Sequence, residues 1–221
     1  MTAAEYALTQ IRPGMVLGLG TGRAATAFVN ALGIKVRQGL PIRGVPTSTS
    51  TANLAKSLSI PLTSLEESPV LDLTVDGADE VDPRLGLIKG FGGALLREKV
   101  VAASSRRLII LVGPEKLVPT LGCRGILPVE VVPFAEAYCR RRLKALGFDS
   151  ALREVNGQRF ISDNQNYILD VRIPTQTAPA ETEQQILAIP GVVETGFFLN
   201  MAETIVVEEA GQVKLMTRAG Q

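Results

Sequence analysis

Short apolar runs alternate with amphipathic stretches from residue 14 onward. Residues 14–19 read as a short buried strand, followed by the glycine turn Gly20-Thr-Gly22 and a helix from about Arg23. Residues 42–45 read as a second strand, and 50–58 as a helix stopped near Pro61. Residues 71–75 form a third strand that runs directly into Asp76. Residues 94–103 carry the Leu95, Leu96, Val100 spacing of an amphipathic helix, and 108–112 is a strongly apolar strand. Strands this short and apolar, separated by helices, predict a mainly parallel sheet with helices on both faces.

The texture changes after Pro128. Residues 134–146 read as a basic helix ending at Gly147, and 167–172 as a strand. A helix over about 180–188 and a strand over 193–199 follow. Two strand pairs around two helices predict a small α+β unit of ferredoxin-like type. Residues 204–208 and 213–216 predict a closing hairpin. The expected division is therefore 1–127 with 203–221 as one domain and 128–202 as the other.

Composition narrows the chemistry mainly through one absence. Among 221 residues there is no histidine, which excludes a Ser-His-Asp triad, a Cys-His pair and any His-ligated zinc. Acid–base work at neutral pH falls to carboxylates, lysines, tyrosines or thiols. Hydrophobic residues at 46% and charged residues at 20% are ordinary for a globular chain. A net charge of +1 gives no push toward nucleic acid or an anionic membrane. No apolar run reaches the roughly 18 residues of a membrane helix, and the first residues lack a signal-peptide pattern. Cys123 and Cys139 form no CxxC pair or disulfide framework and are expected to be free thiols. The expected location is cytoplasmic.

Local charge is uneven. From Tyr6 to Leu65 there is no Asp or Glu, while Arg12, Arg23, Lys35, Arg37, Arg43 and Lys56 all occur there. The sign then reverses through Glu66, Glu67, Asp72, Asp76, Asp79, Glu80 and Asp82. One reading is solvated helix surfaces. The other is a site that holds an anion on one side and places carboxylates on the other.

Three motifs carry candidate chemistry. In Gly18-Leu-Gly20-Thr-Gly22-Arg23, a glycine turn opens a helix whose free N–H groups suit a phosphate. The same residues formally match G-x-G-x-x-A, yet no acidic residue for a ribose occurs before Glu66, so a dinucleotide is rejected. A bare structural turn is the alternative. Asp76-Gly-Ala-Asp79-Glu80-Val-Asp82 ends a predicted parallel strand, where α/β sheets place ligands. It lacks the spacing of a calcium loop, while Mg²⁺ stays open on carboxylate count alone. Lys89-Gly90-Phe91-Gly92-Gly93-Ala94 leads into a helix bearing Glu98, again a run of glycine amides at a helix start. Glu98 could simply favour the helix dipole. A carboxylate beside an oxyanion-stabilising nest is also what proton abstraction next to a carbonyl requires.

At these residues the chain resembles the type A family of ribose-5-phosphate isomerases. The likeness rests on Gly18-Leu-Gly-Thr-Gly22, Val45-Pro-Thr-Ser48, Asp76-Gly-Ala-Asp-Glu80 and Lys89 with its glycines. It continues through Leu96-Arg-Glu-Lys99, Lys116-Leu-Val, Leu127-Pro-Val-Glu-Val-Val-Pro133 and Ile189-Pro-Gly-Val-Val193. The resemblance implies conversion of D-ribose 5-phosphate to D-ribulose 5-phosphate through an enediolate, without metal or organic cofactor. It implies Glu98 as the base, with Asp76 and Asp79 binding hydroxyls and moving the hydroxyl proton. Lys89 and the amides near Gly92 would steady the negative oxygen. Thr21, Gly22, Arg23, Ala24, Gly77, Ala78, Gly90, Phe91 and Gly92 would line the substrate site, with Lys116 adding charge. The implied fold is a three-layer Rossmann-like domain plus a small ferredoxin-like insertion, in homodimers or homotetramers.

The chain departs from the family pattern in three places. Arg23 and Ala24 stand where Ser and Thr are usual, Phe91 interrupts the glycine run, and a lysine-bearing first turn is missing. A non-catalytic sugar-phosphate sensor is the rival from another class. It would normally carry a DNA-binding helical module, which nothing before residue 14 suggests, and it has no need of Glu98. An amino-sugar phosphate deaminase of the same fold group would use a histidine.

Overall fold

The computed structural model describes residues 1–218. In chain order its first half holds α1 (Ala3–Thr9), β1 (Val16–Leu19), α2 (Arg23–Arg37), β2 (Arg43–Pro46), α3 (Thr49–Ser57) and β3 (Leu73–Gly77). Next come β4 (Glu80–Val81), β5 (Leu87–Ile88), α4 (Leu95–Ala103), β6 (Leu108–Val112) and a 3₁₀ turn at Pro114–Lys116. Then follow β7 (Ile126–Val131), α5 (Glu136–Ala145), β8 (Ser150–Leu152), β9 (Glu154–Val155), β10 (Gln158–Arg159) and β11 (Tyr167–Arg172). The chain closes with α6 (Pro179–Leu187), β12 (Val192–Thr195), β13 (Phe197–Phe198), β14 (Thr204–Glu209) and β15 (Gln212–Thr217).

The chain packs into two compact units at other points than 127/128 and 202/203. The first comprises Met1–Ala78, Arg97–Leu117 and the described residues from Asn200. The second comprises Asp79–Leu96 and Val118–Leu199. The strand that opens the α+β motif starts at Ile126, ahead of Pro128, and β5 pairs with both β4 and β13, which draws residues 79–96 into the second unit.

In the first unit six strands run in the order β15-β14-β6-β3-β1-β2, all parallel except the edge strand β15. Strand alternation divides their side chains. Leu17, Leu19, Leu73, Val75, Ile109 and Leu111 face Ala3 and Ala7 of α1 and Phe28, Val29 and Leu32 of α2. Val16, Val45 and Leu71 instead meet Val101 of α4. Helices thus cover both faces, a three-layer Rossmann-like arrangement. Each fully buried large side chain in such a core contributes about 1.5–3 kcal/mol relative to exposure. Gly18 is required where it stands: a Cβ there would overlap Thr74 and Val101. The predicted strand over 14–19 starts only at Val16, because Gly14 takes φ +85° in a turn. Helix α1, which the apolar pattern did not reveal, is set by a capping box of Thr2 and Glu5.

In the second unit the sheet order β12-β7-β11-β8 is antiparallel throughout, with α5 following β7 and α6 following β11. That is the ferredoxin-like motif. The strand expected over 193–199 is two strands. The chain changes sheet at Gly196, whose N–H donates to Pro128 O at 2.7 Å and whose O accepts from Lys89 N–H at 2.8 Å. A side chain at Gly196 would strike the Lys89 carbonyl.

Candidate active site

Four segments of the first unit leave the sheet at the C-terminal ends of parallel strands: the turn after β1, the hydroxyl-rich start of α3 after β2, Asp76 at the end of β3, and the turn after β6. Gly20 lies against Asp76 so closely that a Cβ would overlap its carboxylate. Asp76 is 1% exposed, and its Oδ1 accepts from Thr21 N–H at 3.1 Å and Gly77 N–H at 2.7 Å. Gly22 is the N-cap of α2 at φ +100°, a conformation that favours glycine, and Arg23 is the first helical residue, exposed to solvent. Ala24 is half-buried, and a Cβ on Gly77 would reach its methyl at 3.8 Å. Ala78 is half-buried, as is Lys116 in the 3₁₀ turn after β6. Glu98 sits in the first turn of α4 at 5% exposure, on the favourable side of the helix dipole.

Thr21 brings in residues that the sequence reading did not place in the substrate site, although Thr47 and Ser48 belong to a family-like motif. Its hydroxyl bonds to Thr47 Oγ1 and Ser48 Oγ at 2.8 Å each and to Thr51 Oγ1 at 3.2 Å. Ser48 caps α3 through Thr51 N–H, and Thr51 Oγ1 donates to Gly20 O at 2.9 Å. This hydroxyl cluster ties the β1 and β2 turns together. Its signal was available: five consecutive Ser and Thr residues, 47–51, directly follow a strand.

The second unit holds the other candidates. Lys89 is 3% exposed, and its Nζ lies 5.4 Å from the centre of the Phe198 ring. Asp79 N–H donates to Ile88 O at 2.8 Å, while Asp79 Oδ2 accepts from Phe91 N–H at 3.0 Å. Gly90 is buried at φ +103°, and Gly93, at φ +78°, turns its N–H back to Gly90 O at 2.9 Å. Two of the loop amides are thus engaged within the unit. Phe91 is 42% exposed and Gly92 is exposed.

The acidic run divides by role. Both oxygens of buried Glu80 accept backbone N–H groups, from Gly122 at 2.6 Å and Arg124 at 2.7 Å. Asp82 Oδ1 accepts from Arg84 and Gly86 N–H in a tight turn. Asp72 binds Val16 N–H and Arg106. These three carboxylates hold the backbone. Among the described residues no three His, Cys, Asp or Glu side chains converge as a metal-holding group. The basic half is a solvated surface: Arg12, Arg23, Lys35, Arg37, Arg43 and Lys56 are all exposed. Lys35, Arg37 and Lys56 lie in last helical turns, where the dipole favours cations.

The first unit thus offers buried carboxylates beside a glycine turn, and the second a buried lysine beside another, on an α/β framework of the kind that carries enzyme sites. Residues 43–212 match the family model for ribose 5-phosphate isomerase A (phosphoriboisomerase A). The ribose-5-phosphate isomerase A of Gloeobacter violaceus is 49% identical over 217 residues, covering 98% of this chain and 94% of that protein. That of a Roseiflexus species is 50% identical over 208 residues, covering 93% and 89%. The solved ribose 5-phosphate isomerase A of Methanocaldococcus jannaschii superposes with a TM-score of 0.92 at 37% identity, covering 97% of this chain and 96% of its own. A D-ribose-5-phosphate isomerase solved in complex with phospho-erythronic acid gives 0.93 at 40% identity, covering 98% and 96%. The chain belongs to the ribose 5-phosphate isomerase A family.

Proposed function

We propose that this protein interconverts D-ribose 5-phosphate and D-ribulose 5-phosphate in the cytoplasm, as a homodimer or homotetramer. The observation that carries the reading is Glu98, a carboxylate at 5% exposure in the first turn of α4, shortly after a glycine loop. In the open-chain aldose Glu98 takes the proton from C2 while the C1 carbonyl oxygen gains the negative charge. The resulting enediolate then accepts that proton at C1, and the O2 proton moves to O1, leaving a ketone at C2. Asp76 and Asp79 bind the hydroxyls and carry the O–H proton. Lys89 and the amide of Gly92 oppose the charge that develops on oxygen, which is where a fixed donor accelerates the reaction most. The phosphate lies on the start of α2, residues 21–24, held by free N–H groups and the Arg23 guanidinium, and Lys116 adds charge.

The test is a coupled assay of purified protein with ribose 5-phosphate, run beside Glu98→Gln. The glutamine keeps the shape and removes the base, so kcat should fall by at least ~100-fold. Near-normal turnover in a folded variant would remove Glu98 from the role.

A further inference from the structure

The four-stranded sheet of the second unit has two faces. Leu127, Val129, Val131, Leu169 and Val171 enter the apolar cluster shared with Cys139, Leu143 and Ile186. By alternation Pro128, Glu130, Ile168 and Asp170 point the other way. On that side Asp170 meets Arg153, the residue after β8. Arg153 Nε donates to Asp170 Oδ2 at 3.1 Å and Nη2 donates to Oδ1, a two-pronged charge pair. The remaining nitrogen, Nη1, donates to two consecutive carbonyls, Gly90 O at 2.7 Å and Phe91 O at 3.1 Å. The backbone of Arg153 is fixed as well. Its N–H donates to Ile168 O at 2.8 Å, and its O accepts from Phe160 N–H at 2.9 Å. The side chain is 11% exposed.

Planar trans peptides turn this grip into an aiming device, because each C=O points opposite to the N–H of the same peptide. Drawing Gly90 C=O toward Arg153 turns Phe91 N–H away, and that N–H is found on Asp79 Oδ2 at 3.0 Å. Drawing Phe91 C=O toward the same nitrogen turns Gly92 N–H away in its turn. A cation on the carbonyl also polarises the peptide and strengthens its N–H as a donor.

We propose that Arg153, gripped by Asp170, is a positioning residue that aims and polarises the Gly92 amide for the oxyanion of the isomerisation. The inference rests on reading the 90–93 loop as the anion-stabilising element of a ribose-5-phosphate isomerase. Neither Arg153 nor Asp170 touches the reacting atoms; their effect passes through the loop backbone. A guanidinium is needed because only its planar fork serves a carboxylate and two carbonyls at once.

Arg153→Lys keeps the cation but has one nitrogen for three acceptors, and Arg153→Ala/Asp170→Asn removes the clamp without stranding a charge. Both should lower kcat about ten- to a hundredfold, less than deletion of an oxyanion donor outright. KM should stay within about threefold, since the loss falls on the transition state. Phospho-erythronic acid, the ligand of a solved relative, carries a planar anionic carboxylate at the reacting end of a sugar-phosphate chain, so its affinity should fall in step with kcat. Inorganic phosphate, which reports on the phosphate subsite at residues 21–24 and Lys116 and not on the 90–93 loop, should inhibit variant and wild type alike. Variants that melt lower but keep wild-type kcat and phospho-erythronic acid affinity make Arg153 a structural staple and overturn the proposal. Equal losses for phosphate and phospho-erythronic acid overturn it too, as a general loosening. Wild-type turnover separates the two levels. If wild type isomerises and the variants match it, the clamp alone fails; if wild type does not isomerise, the assigned activity fails and takes the clamp with it.

Discussion

Replacing Gly93 by alanine tests how the second glycine loop is held. Two costs follow from its surroundings. The residue sits at φ +78°, where an L side chain costs about 1–2 kcal/mol. The new methyl would also overlap Cζ and Cε1 of Phe160, well inside the roughly 3.5 Å of carbon–carbon contact. Forcing a methyl into a filled space costs about 1–3 kcal/mol, so Gly93→Ala should destabilise by about 2–5 kcal/mol in all. The two costs separate in a double-mutant cycle. Phe160 is half-buried, so Phe160→Ala alone should cost about 1–2 kcal/mol. The double variant is relieved of the overlap but not of the backbone strain, so it should be more stable than the sum of the singles by about 1–3 kcal/mol. The assay is equilibrium urea unfolding, comparing midpoints at matched slopes. Additivity within ~0.5 kcal/mol would refute the steric argument and leave only the backbone term.

Three further outcomes follow from groups already placed. Glu80→Gln turns an amide NH₂ toward a backbone donor and should cost about 1.5–3 kcal/mol, read as a lower Tm with kcat per folded molecule unchanged; an unaltered Tm would contradict the role given to its carboxylate. Arg23→Ala should raise KM for ribose 5-phosphate about tenfold, near the lower end for a charged hydrogen bond at an exposed position, and should weaken inhibition by inorganic phosphate; unchanged values for both would show that Arg23 never meets the phosphate. Burial pushes the Cys139 thiol up, whereas Cys123 is exposed. A thiol reagent should therefore titrate one group in the native protein and two in urea. The unfolded chain loses the Cys139 proton first, so this thiol's contribution to stability should be complete below the ordinary thiol pKa and decline as pH rises above it; two rapidly reacting native thiols would count against its burial.

Much of the first unit was legible because its signals are local. Apolar strands such as Leu108–Val112 are buried on both faces, and Asp76 stands out as the one charged residue near the end of another, β3. Strand β7 was hidden by its own residues. The texture of the sequence breaks at Pro128, yet Pro128 and Glu130 are both buried in β7. Glu130 is accommodated because its Oε1 accepts from Ser162, Asn164 and Asn166, more than thirty residues on, a pairing that no short window contains. The same holds for the site. Glycines, carboxylates and Lys89 stand in recognisable order, whereas Arg153 lies 63 residues from the Gly90 carbonyl it holds. Its neighbours in sequence, Leu152 and Glu154, give no hint of the contact. The charge reversal near residue 66 promised more than it delivered, since solvent-exposed surface accounts for the basic half and backbone caps for much of the acidic half.

The place of β14 in the sheet has a consequence for how the protein is made. Thr204 pairs with Ile109, so β14 docks beside β6 only after the whole of Val118–Leu199 has left the ribosome. Until then β6 presents an open, wholly apolar parallel edge, the kind of surface that recruits other chains. The second unit pairs its strands over shorter spans and can acquire structure while that edge waits. The exposure therefore lasts until residue 204 and its neighbours are free of the ribosome to pair, and the hairpin of β14 with β15 acts as the latch that ends it.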